Sequence, residues 1–318
     1  MAGHASSKTV IYAALVGNLA IGVTKTGAAI YTGSSAMLSE AIHSFVDSGN
    51  QWLLLHGLRR STKAPDAKHP FGYGMELYFW SFVVAILVFA VGAGVSIYEG
   101  ISKIRDPHAI NNAHINYIVL GTAILIEAGP CYLALKAFLV EKGDREFFTA
   151  IRESKDPTIF TVLFEDGAAM LGLIVAMIGI ALADYYNFAE LDGIASVVIG
   201  VILAATAAVL AAESKGLLIG EAAMPETQVA VRAMLTADDR ISSTNEVLTM
   251  HLGPRDVLLN LSVDFRDGLA SEEVEAAITE LETGIKSEFP EIKRIFIEAQ
   301  NRLAHRANEA RTNGTPSD

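Results

Sequence analysis

The sequence predicts an α-helical membrane protein with six transmembrane helices, followed by a small cytoplasmic α+β domain. Of its 318 residues, 51% are hydrophobic and 19% are charged, whereas about a quarter of the residues of a soluble domain are charged. Apolar runs of about 20 residues, the length that crosses a bilayer, recur through residues 1–220. From Pro225 onward the pattern becomes that of a water-soluble domain.

Six apolar runs are long enough to form transmembrane helices. They lie near residues 9–31, 36–57, 77–101, 113–138, 159–183 and 190–214. The connections on one side hold eleven Lys and Arg residues, and those on the other side hold only Lys103 and Arg105. Because short cytoplasmic loops collect basic residues, both chain ends are predicted to be cytoplasmic. In a bacterium, the expected location is the inner membrane.

Three segments of different character are predicted: a transport domain over residues 1–220, a cytoplasmic domain over 221–300 and a flexible polar tail over 301–318. In the cytoplasmic domain, the residue pattern predicts elements in the order αββαβ, which is typical of a ferredoxin-like sheet. These elements are a helix at Gln228–Thr236, strands at Glu246–His251 and Val257–Phe265, a helix at Ser271–Phe289 and a strand at Ile292–Glu298.

Charge and cysteine content exclude several classes of protein. A formal net charge of −12 provides no basic field for a phosphate backbone, so nucleic-acid binding is disfavoured. Cys131 is the one cysteine of the sequence, which excludes a disulfide scaffold and a cysteine zinc cluster.

The second apolar run has a polar face. Glu40, His43, Asp47 and Asn50 follow one another at spacings of three or four residues, so they share one side of a helix. Ionisable groups in a membrane are costly and usually functional. An imidazole and a carboxylate at i and i+4 can both bind one cation, with Zn²⁺ favoured and Mn²⁺, Fe²⁺ or Co²⁺ possible. The alternative is a His–Asp hydrogen bond that only joins helices.

The fourth and fifth runs carry further carboxylates. Glu165 and Asp166 are adjacent, so about 100° of helix rotation separates them and one is expected to face the site. Asp166 is the preferred ligand. Glu127 either joins the cation path or pairs with Lys25 from the first run. Asp192, at the start of the sixth run, is interpreted as an interfacial helix-start residue rather than a ligand.

The loop between the second and third runs reads APDAKHPFGYG, with Asp66 and His69 beside a glycine-rich turn. On its own this loop is a weak metal motif, and an ordinary polar turn explains it equally well.

Taken together, these motifs resemble the cation diffusion facilitator (cation efflux) family over about residues 8–300. The similarity rests on six runs, His43-x-x-x-Asp47, the loop at 66–74, an acidic fifth run and an αββαβ tail. SEAIHSFVDSGNQ and ESKDPTIFTVLFEDGAA are most similar to the branch that contains the animal mitochondrial zinc exporter.

The resemblance implies a homodimeric antiporter that moves a divalent metal out of the cytoplasm against inward protons, and no bound cofactor. It implies a tetrahedral site with two ligands from the second helix and two from the fifth. His43 and Asp47 match, but the position four residues before Asp166 is Val162, which cannot ligate a metal. Glu165, Asn50, Glu127 or water are the candidates for the fourth ligand.

Two other family sites are altered in this sequence. In the loop site, Tyr73 replaces a second histidine that many members carry beside Asp66 and His69. In the tail, Asn245 and Glu298 align with the family's metal-bridging histidines. The tail is therefore predicted to dimerise and to bind metal weakly or not at all.

Two other function classes compete with transport. An intramembrane hydrolase would use a catalytic zinc held by these same side chains, but the sequence has no HExxH motif and no serine elbow. A non-transporting membrane adaptor would dimerise through its tail. Metal flux in proteoliposomes without a substrate would separate transport from a hydrolase, and retained tail binding with no metal flux would support an adaptor. From the motifs together we expect a transporter and not an enzyme, with metal ions, protons, lipid and a second copy as partners.

Overall fold

The computed structural model describes residues 2–312 apart from 109 and 111. The chain divides into two compact units, one of residues 1–63 and 76–215 and the other of residues 64–75 and 216–318. The loop 64–75 thus groups with the C-terminal part of the chain, whereas the sequence analysis assigns it to the transport domain.

The first unit is entirely helical where it is described. Its elements are α1 (Ala2–Thr32), α2 (Ser35–Ser61), α3 (Glu76–Leu87), a π-helical turn (Val88–Ala93), α4 (Gly94–Arg105), α5 (Ala113–Lys142), α6 (Phe147–Glu153), α7 (Pro157–Tyr186) and α8 (Glu190–Ile219). Each predicted apolar run is helical. The third run spans α3, the π-helical turn and α4, and the short helix α6 between the fourth and fifth runs was not predicted.

Four helical segments of the described chain are long and apolar enough to cross a membrane: Glu76–Arg105, Ala113–Val140, Phe160–Tyr186 and Glu190–Ile219. The helices α1 and α2 are not among these four segments, and α2 is clearly less apolar than they are. In α2 the reason is its row of Ser, Glu, His, Asp and Asn side chains. Six membrane crossings therefore remain a prediction.

The helices of this unit pack through small and apolar side chains. The helix α1 lies against α2 and α5, α5 lies against α7, and α2 also contacts α3, α4 and α7. At Gly100 of α4, a Cβ atom would lie 2.6 Å from the carbonyl oxygen of Gly193 in α8. The two backbones thus approach more closely than a side chain would allow, as is usual where membrane helices meet.

A buried carboxylate from α8 caps the start of α2. Asp192 accepts hydrogen bonds from Ser34 Oγ (2.7 Å), from Ser35 N and Oγ (2.7 and 3.1 Å) and from Ala36 N (3.3 Å). Lys103 Nζ lies 4.0 Å from the same carboxylate. These bonds satisfy donors that the first turn of a helix leaves free, so Asp192 fixes α2 to α8 at this end.

The second unit contains a three-stranded sheet with helices. Its elements are α9 (Pro225–Ala237), β1 (Ile241–Gly253), β2 (Asp256–Phe265), α10 (Ser271–Glu288), β3 (Ile292–Ala299) and α11 (Arg302–Thr312). The strand order is β1-β2-β3, with β1 antiparallel and β3 parallel to β2. The predicted order of helices and strands is observed through β3, while a ferredoxin-like topology remains an expectation.

Every second side chain of β2 lies in the core of this unit. Val257, Leu259, Leu261 and Val263 are fully buried, because successive side chains of a strand point to opposite faces. They pack with buried residues of α9 and α10, such as Leu235 and Ile285.

The helix α11 was not predicted, since the sequence analysis assigns residues 301–318 to a flexible polar tail. Its start is fixed by side chains: Asn301 Oδ1 accepts a hydrogen bond from Leu303 N, and Asp264 Oδ2 accepts one from Arg302 N. Residues 313–318 of the predicted tail lie outside the described residues.

Candidate functional site

The polar face of α2 is turned into the helical unit. Glu40, His43 and Asn50 are buried, and the side chain of Asp47 is largely buried. His43 Nε2 lies 3.5 Å from Asp47 Oδ2, one helical turn away. Within the described chain, both ring nitrogens of His43 and the Oδ1 atom of Asp47 lack a hydrogen-bond partner. Buried polar atoms are rarely left this way, and these atoms are of the kind that ligates a divalent cation.

Both adjacent carboxylates of α7 are turned toward this region. Glu165 is buried, and its Oε1 atom accepts a hydrogen bond of 2.8 Å from Asn50 Nδ2. Asp166 Oδ2 is buried and lacks a hydrogen-bond partner among the described residues. Asp47 interacts electrostatically with Glu165, Asp166 and Glu127. The sequence predicts that one of the two α7 carboxylates faces the site, with Asp166 preferred, whereas Glu165 is the one that is hydrogen-bonded to α2 in the structure.

Thr161 belongs to the same buried face of α7 and was missed in the sequence analysis. Its side chain is 1% exposed, and its hydroxyl has no partner in the part of the chain that is described. It lies one helical turn before Glu165. Val162, four residues before Asp166, is 37% exposed and so lies away from this face. The resemblance implies a second α7 ligand four residues before the first. Counted from Glu165 instead of from Asp166, that position is Thr161.

Glu127 of α5 forms an ion pair, which was one of its two predicted roles. Its Oε1 atom lies 3.2 Å from Lys25 Nζ. Its Oε2 atom is buried and has no hydrogen-bond partner among the described side chains and backbone. Glu127 therefore pairs with Lys25 and also interacts electrostatically with Asp47 of α2 and Asp166 of α7.

The predicted membrane ligands form pairs rather than a complete cluster. His43 lies beside Asp47, and Asn50 lies beside Glu165. Among the side chains that the structure describes, no group of three His, Cys, Asp or Glu residues could hold one metal ion.

In the loop 64–75, Asp66 organises a turn. Its Oδ1 atom accepts hydrogen bonds from the backbone N–H groups of Lys68 and His69 (3.0 and 2.9 Å), and Oδ2 accepts one from the Tyr73 hydroxyl (2.6 Å). The His69 ring lies 4.2 Å from the Tyr73 ring, centroid to centroid. Both oxygens of Asp66 are thus used within the loop, and Tyr73 occupies one of them.

Asn245, one of the two tail positions that align with metal-bridging histidines, and His251 of the same strand have structural contacts. Asn245 Nδ2 donates a hydrogen bond of 2.8 Å to the carbonyl oxygen of Gln300, next to β3. His251 is buried at the end of β1, where its Nδ1 atom lies 3.2 Å from the carbonyl oxygen of Gly253. These side chains hold strands and turns together.

The sequence of the chain is similar to those of cation efflux proteins. The sequence profile of the cation efflux transmembrane domain matches residues 11–219. The mitochondrial proton-coupled zinc antiporter SLC30A9 of Xenopus laevis is 30% identical over 79% of this chain and 46% of its own length. Metal tolerance protein C4 of Arabidopsis thaliana is 30% identical over 81% of this chain and 57% of its own. The manganese efflux system protein MneP of Bacillus subtilis is 22% identical over 92% and 95%, respectively. The chain spans about half the length of the first two relatives.

Proposed function

The chain belongs to the cation efflux family, and on that premise we propose that it exports a divalent metal ion, with Zn²⁺ as the preferred ion, in exchange for protons. Its relatives in Xenopus laevis, mouse and human are named as proton-coupled zinc antiporters. The observation that carries the proposal is the buried His43–Asp47 pair. Three of its donor atoms lack hydrogen-bond partners within the described residues, and Asp47 interacts electrostatically with the carboxylates of α7.

We assign the membrane site to His43, Asp47 and Asp166. Glu165, Asn50 and Glu127 are the candidates for the remaining position. One imidazole with several carboxylates is a donor set that suits Zn²⁺. In this role, Asn50 also positions Glu165 through the hydrogen bond between them.

Proton exchange follows from the chemistry of these ligands. Imidazole and carboxylates bind a metal ion only when they are deprotonated, so metal entry displaces protons and protonation releases the metal. Because the ligands lie on separate helices, a movement of α2 against α7 both completes the coordination and changes the side from which the site is reached.

The proposal includes six membrane crossings, with α1 and α2 added to the four apolar segments. The outward faces of α1 and α2 support six crossings. Leu19, Val23 and Ile30 of α1, and Trp52 of α2, are exposed, whereas Lys25 of α1 and the polar side chains Glu40, His43 and Asn50 of α2 are buried. A bilayer would cover such apolar faces. The basic connections then place both chain ends in the cytoplasm.

We further propose that the C-terminal domain, residues 221–300, joins two copies of the chain. Phe296 of β3 and Leu248 of β1 are exposed apolar side chains on outer strands of the sheet. The loop site and the tail take no part in metal binding in this proposal, because the side chains of Asp66 and Asn245 are used in local structure.

The full-length chain in proteoliposomes tests the function. With a pH-sensitive dye inside the vesicles, added Zn²⁺ is expected to enter while protons leave, and Asp47→Asn is expected to stop both. The matched control is Asp106→Asn, which changes an exposed carboxylate at the end of α4 and should leave the flux intact. A folded wild-type chain that moves none of Zn²⁺, Mn²⁺, Fe²⁺ and Co²⁺ would overturn the proposal.

Manganese export is the second candidate function. Apart from His43, the proposed donors are oxygen atoms, from the carboxylates of Asp47, Glu165 and Asp166 and from the amide of Asn50, and oxygen donors suit Mn²⁺. The relative from Bacillus subtilis named as a manganese efflux protein matches almost end to end. Uptake of Mn²⁺ that excess Zn²⁺ does not suppress would favour this alternative.

A further inference from the structure

Lys25 is a fully buried cation in the middle of the helical unit. Its ammonium group donates hydrogen bonds to Glu40 Oε2 (3.2 Å) and Ser44 Oγ (3.0 Å) on α2, and to Glu127 Oε1 (3.2 Å) on α5. Three N–H donors and three acceptors match one another. Lys25 on α1 therefore joins three helices at one point. The group that joins them is a positively charged ammonium.

Both carboxylates that Lys25 binds have a second oxygen turned elsewhere. Glu40 Oε1 and Glu127 Oε2 are buried without hydrogen-bond partners in the described chain. Glu40 is packed closely against α7, since a Cβ atom added at Gly172 would clash with Glu40 Oε1. Each carboxylate therefore offers one oxygen to Lys25 and keeps one available on its other side.

The available oxygen of Glu127 belongs to the region of the candidate site. Glu127 interacts electrostatically with both Asp47 and Asp166, and Lys25 interacts with His43 and Asp47. The ammonium group is thus a fixed positive charge beside the place where a divalent cation would bind. In a low-dielectric interior, two positive charges in such positions repel each other strongly.

We propose that Lys25 is a tethered cation that shares Glu127 with the transported metal and so sets how tightly the metal is held. This inference rests on the proposed function. While Lys25 holds Glu127 Oε1, that carboxylate gives the metal only part of its charge, and the ammonium repels the ion. A transporter must release its cargo, so the lysine favours turnover over tight binding. Lys25 is a positioning residue in this scheme, because it acts on the metal through Glu127 and through its charge.

The test is Lys25→Met in the full-length chain, with Zn²⁺ affinity measured by calorimetry in detergent and transport measured in proteoliposomes. We expect Zn²⁺ to bind about tenfold more tightly, because a repelling charge is removed and Glu127 is freed. The KM for Zn²⁺ should fall, and kcat should fall with it, because release becomes slow. If Lys25 had only a structural role, Lys25→Met would bind Zn²⁺ more weakly, because loss of the three hydrogen bonds would loosen the site.

Removing Lys25 alone leaves Glu40 as an unpaired buried charge, which is destabilising. The double variant Lys25→Met/Glu40→Gln removes that charge together with the lysine and keeps Glu127 free, so it carries the test if the single variant does not fold. Tight binding in the double variant supports the proposal. If the double variant instead bound Zn²⁺ with wild-type affinity, any change of affinity in the single variant would be due to Glu40, and the proposal would be overturned.

Two more variants complete the set. Ser44→Ala removes one acceptor of Lys25 without changing charge, and its Zn²⁺ affinity should stay within about twofold of wild type. Lys25→Arg keeps the positive charge, so affinity should stay near the wild-type value, and tight binding in this variant would contradict the role of charge. A wild-type chain that binds no divalent metal would instead overturn the proposed function, which separates the two failures.

Discussion

The molecule contains two pairs of aspartate and histidine at short spacing, and their surroundings are opposite. His43 and Asp47 of α2 are turned inward, and three of their polar atoms lack hydrogen-bond partners within the described residues. Asp66 and His69 of the loop 64–75 are exposed, and Asp66 accepts hydrogen bonds at both oxygens. The residue types are the same, but the carboxylate oxygens of Asp66 are used within the loop, whereas the α2 pair has buried donor atoms without partners among the described residues.

This difference shows why spacing alone does not identify a metal site. A buried polar group without a partner costs roughly 1 to 3 kcal/mol, so a folded protein retains several of them together where they serve a ligand. A carboxylate that accepts backbone N–H bonds in a turn contributes to the fold instead. The α2 pair and the loop pair therefore differ in whether their polar atoms have hydrogen-bond partners.

The largest expected effect is that of removing a charge from the α2 pair. Asp47→Asn should lower Zn²⁺ flux in proteoliposomes at least about 100-fold, since a ligand and its negative charge are lost together while the shape is kept. Asp66→Asn is the control from the loop pair, and its flux should stay within about threefold of wild type. Equal losses in the two variants would break the comparison.

The second effect concerns a buried carboxylate that is fully satisfied. Asp192→Ala removes the acceptor of the bonds from Ser34, Ser35 and Ala36 and leaves Lys103 without its nearby carboxylate. We expect a loss of roughly 3 kcal/mol of stability, because a buried charge pair is broken. Thermal unfolding in detergent measures it, and Zn²⁺ affinity of the folded fraction should be unchanged. A large change in affinity with unchanged stability would place Asp192 in the site.

The elements whose apolar residues follow a regular local pattern could be predicted from the sequence. Each apolar run became a helix, and the alternation from Val257 to Val263 became the buried face of β2. The helix α11 could not be predicted in this way, because its residues are polar and show no apolar period. Its start depends on Asp264, which lies in a strand far away in the sequence.

The candidate site could be predicted only in part, for a similar reason. The i to i+4 spacing identified His43 and Asp47, since both lie on one helix face. How α7 is rotated about its axis depends on its packing against α2 and α5, and no local pattern reports that rotation. The sequence therefore could not show that Thr161 is buried and Val162 is exposed, nor that Asn50 binds Glu165.

The third effect uses this rotation of α7. In a Cys131→Ser background, Thr161→Cys places a sulfur on the buried face, where it can add a soft ligand for Zn²⁺ or Cd²⁺. We expect the affinity for these metals to rise about tenfold, measured by calorimetry. Val162→Cys is the matched control and should leave affinity unchanged, because position 162 faces outward. A gain at position 162 and none at 161 would reverse the assignment of the inward face.

The smallest effect distinguishes a structural hydrogen bond from a binding role in the loop. Tyr73→Phe removes the hydroxyl that donates to Asp66 Oδ2 and keeps the ring that lies against His69. The loss should be about 1 kcal/mol, the usual contribution of one hydrogen bond, and it should be seen as a lower unfolding temperature. Zn²⁺ affinity and the KM for transport should not change, because the loop pair has no part in the membrane site. If the freed Asp66 oxygen created a second zinc equivalent in calorimetry, the loop would retain a binding capacity that Tyr73 suppresses, and the contrast with the α2 pair would rest on that one hydroxyl.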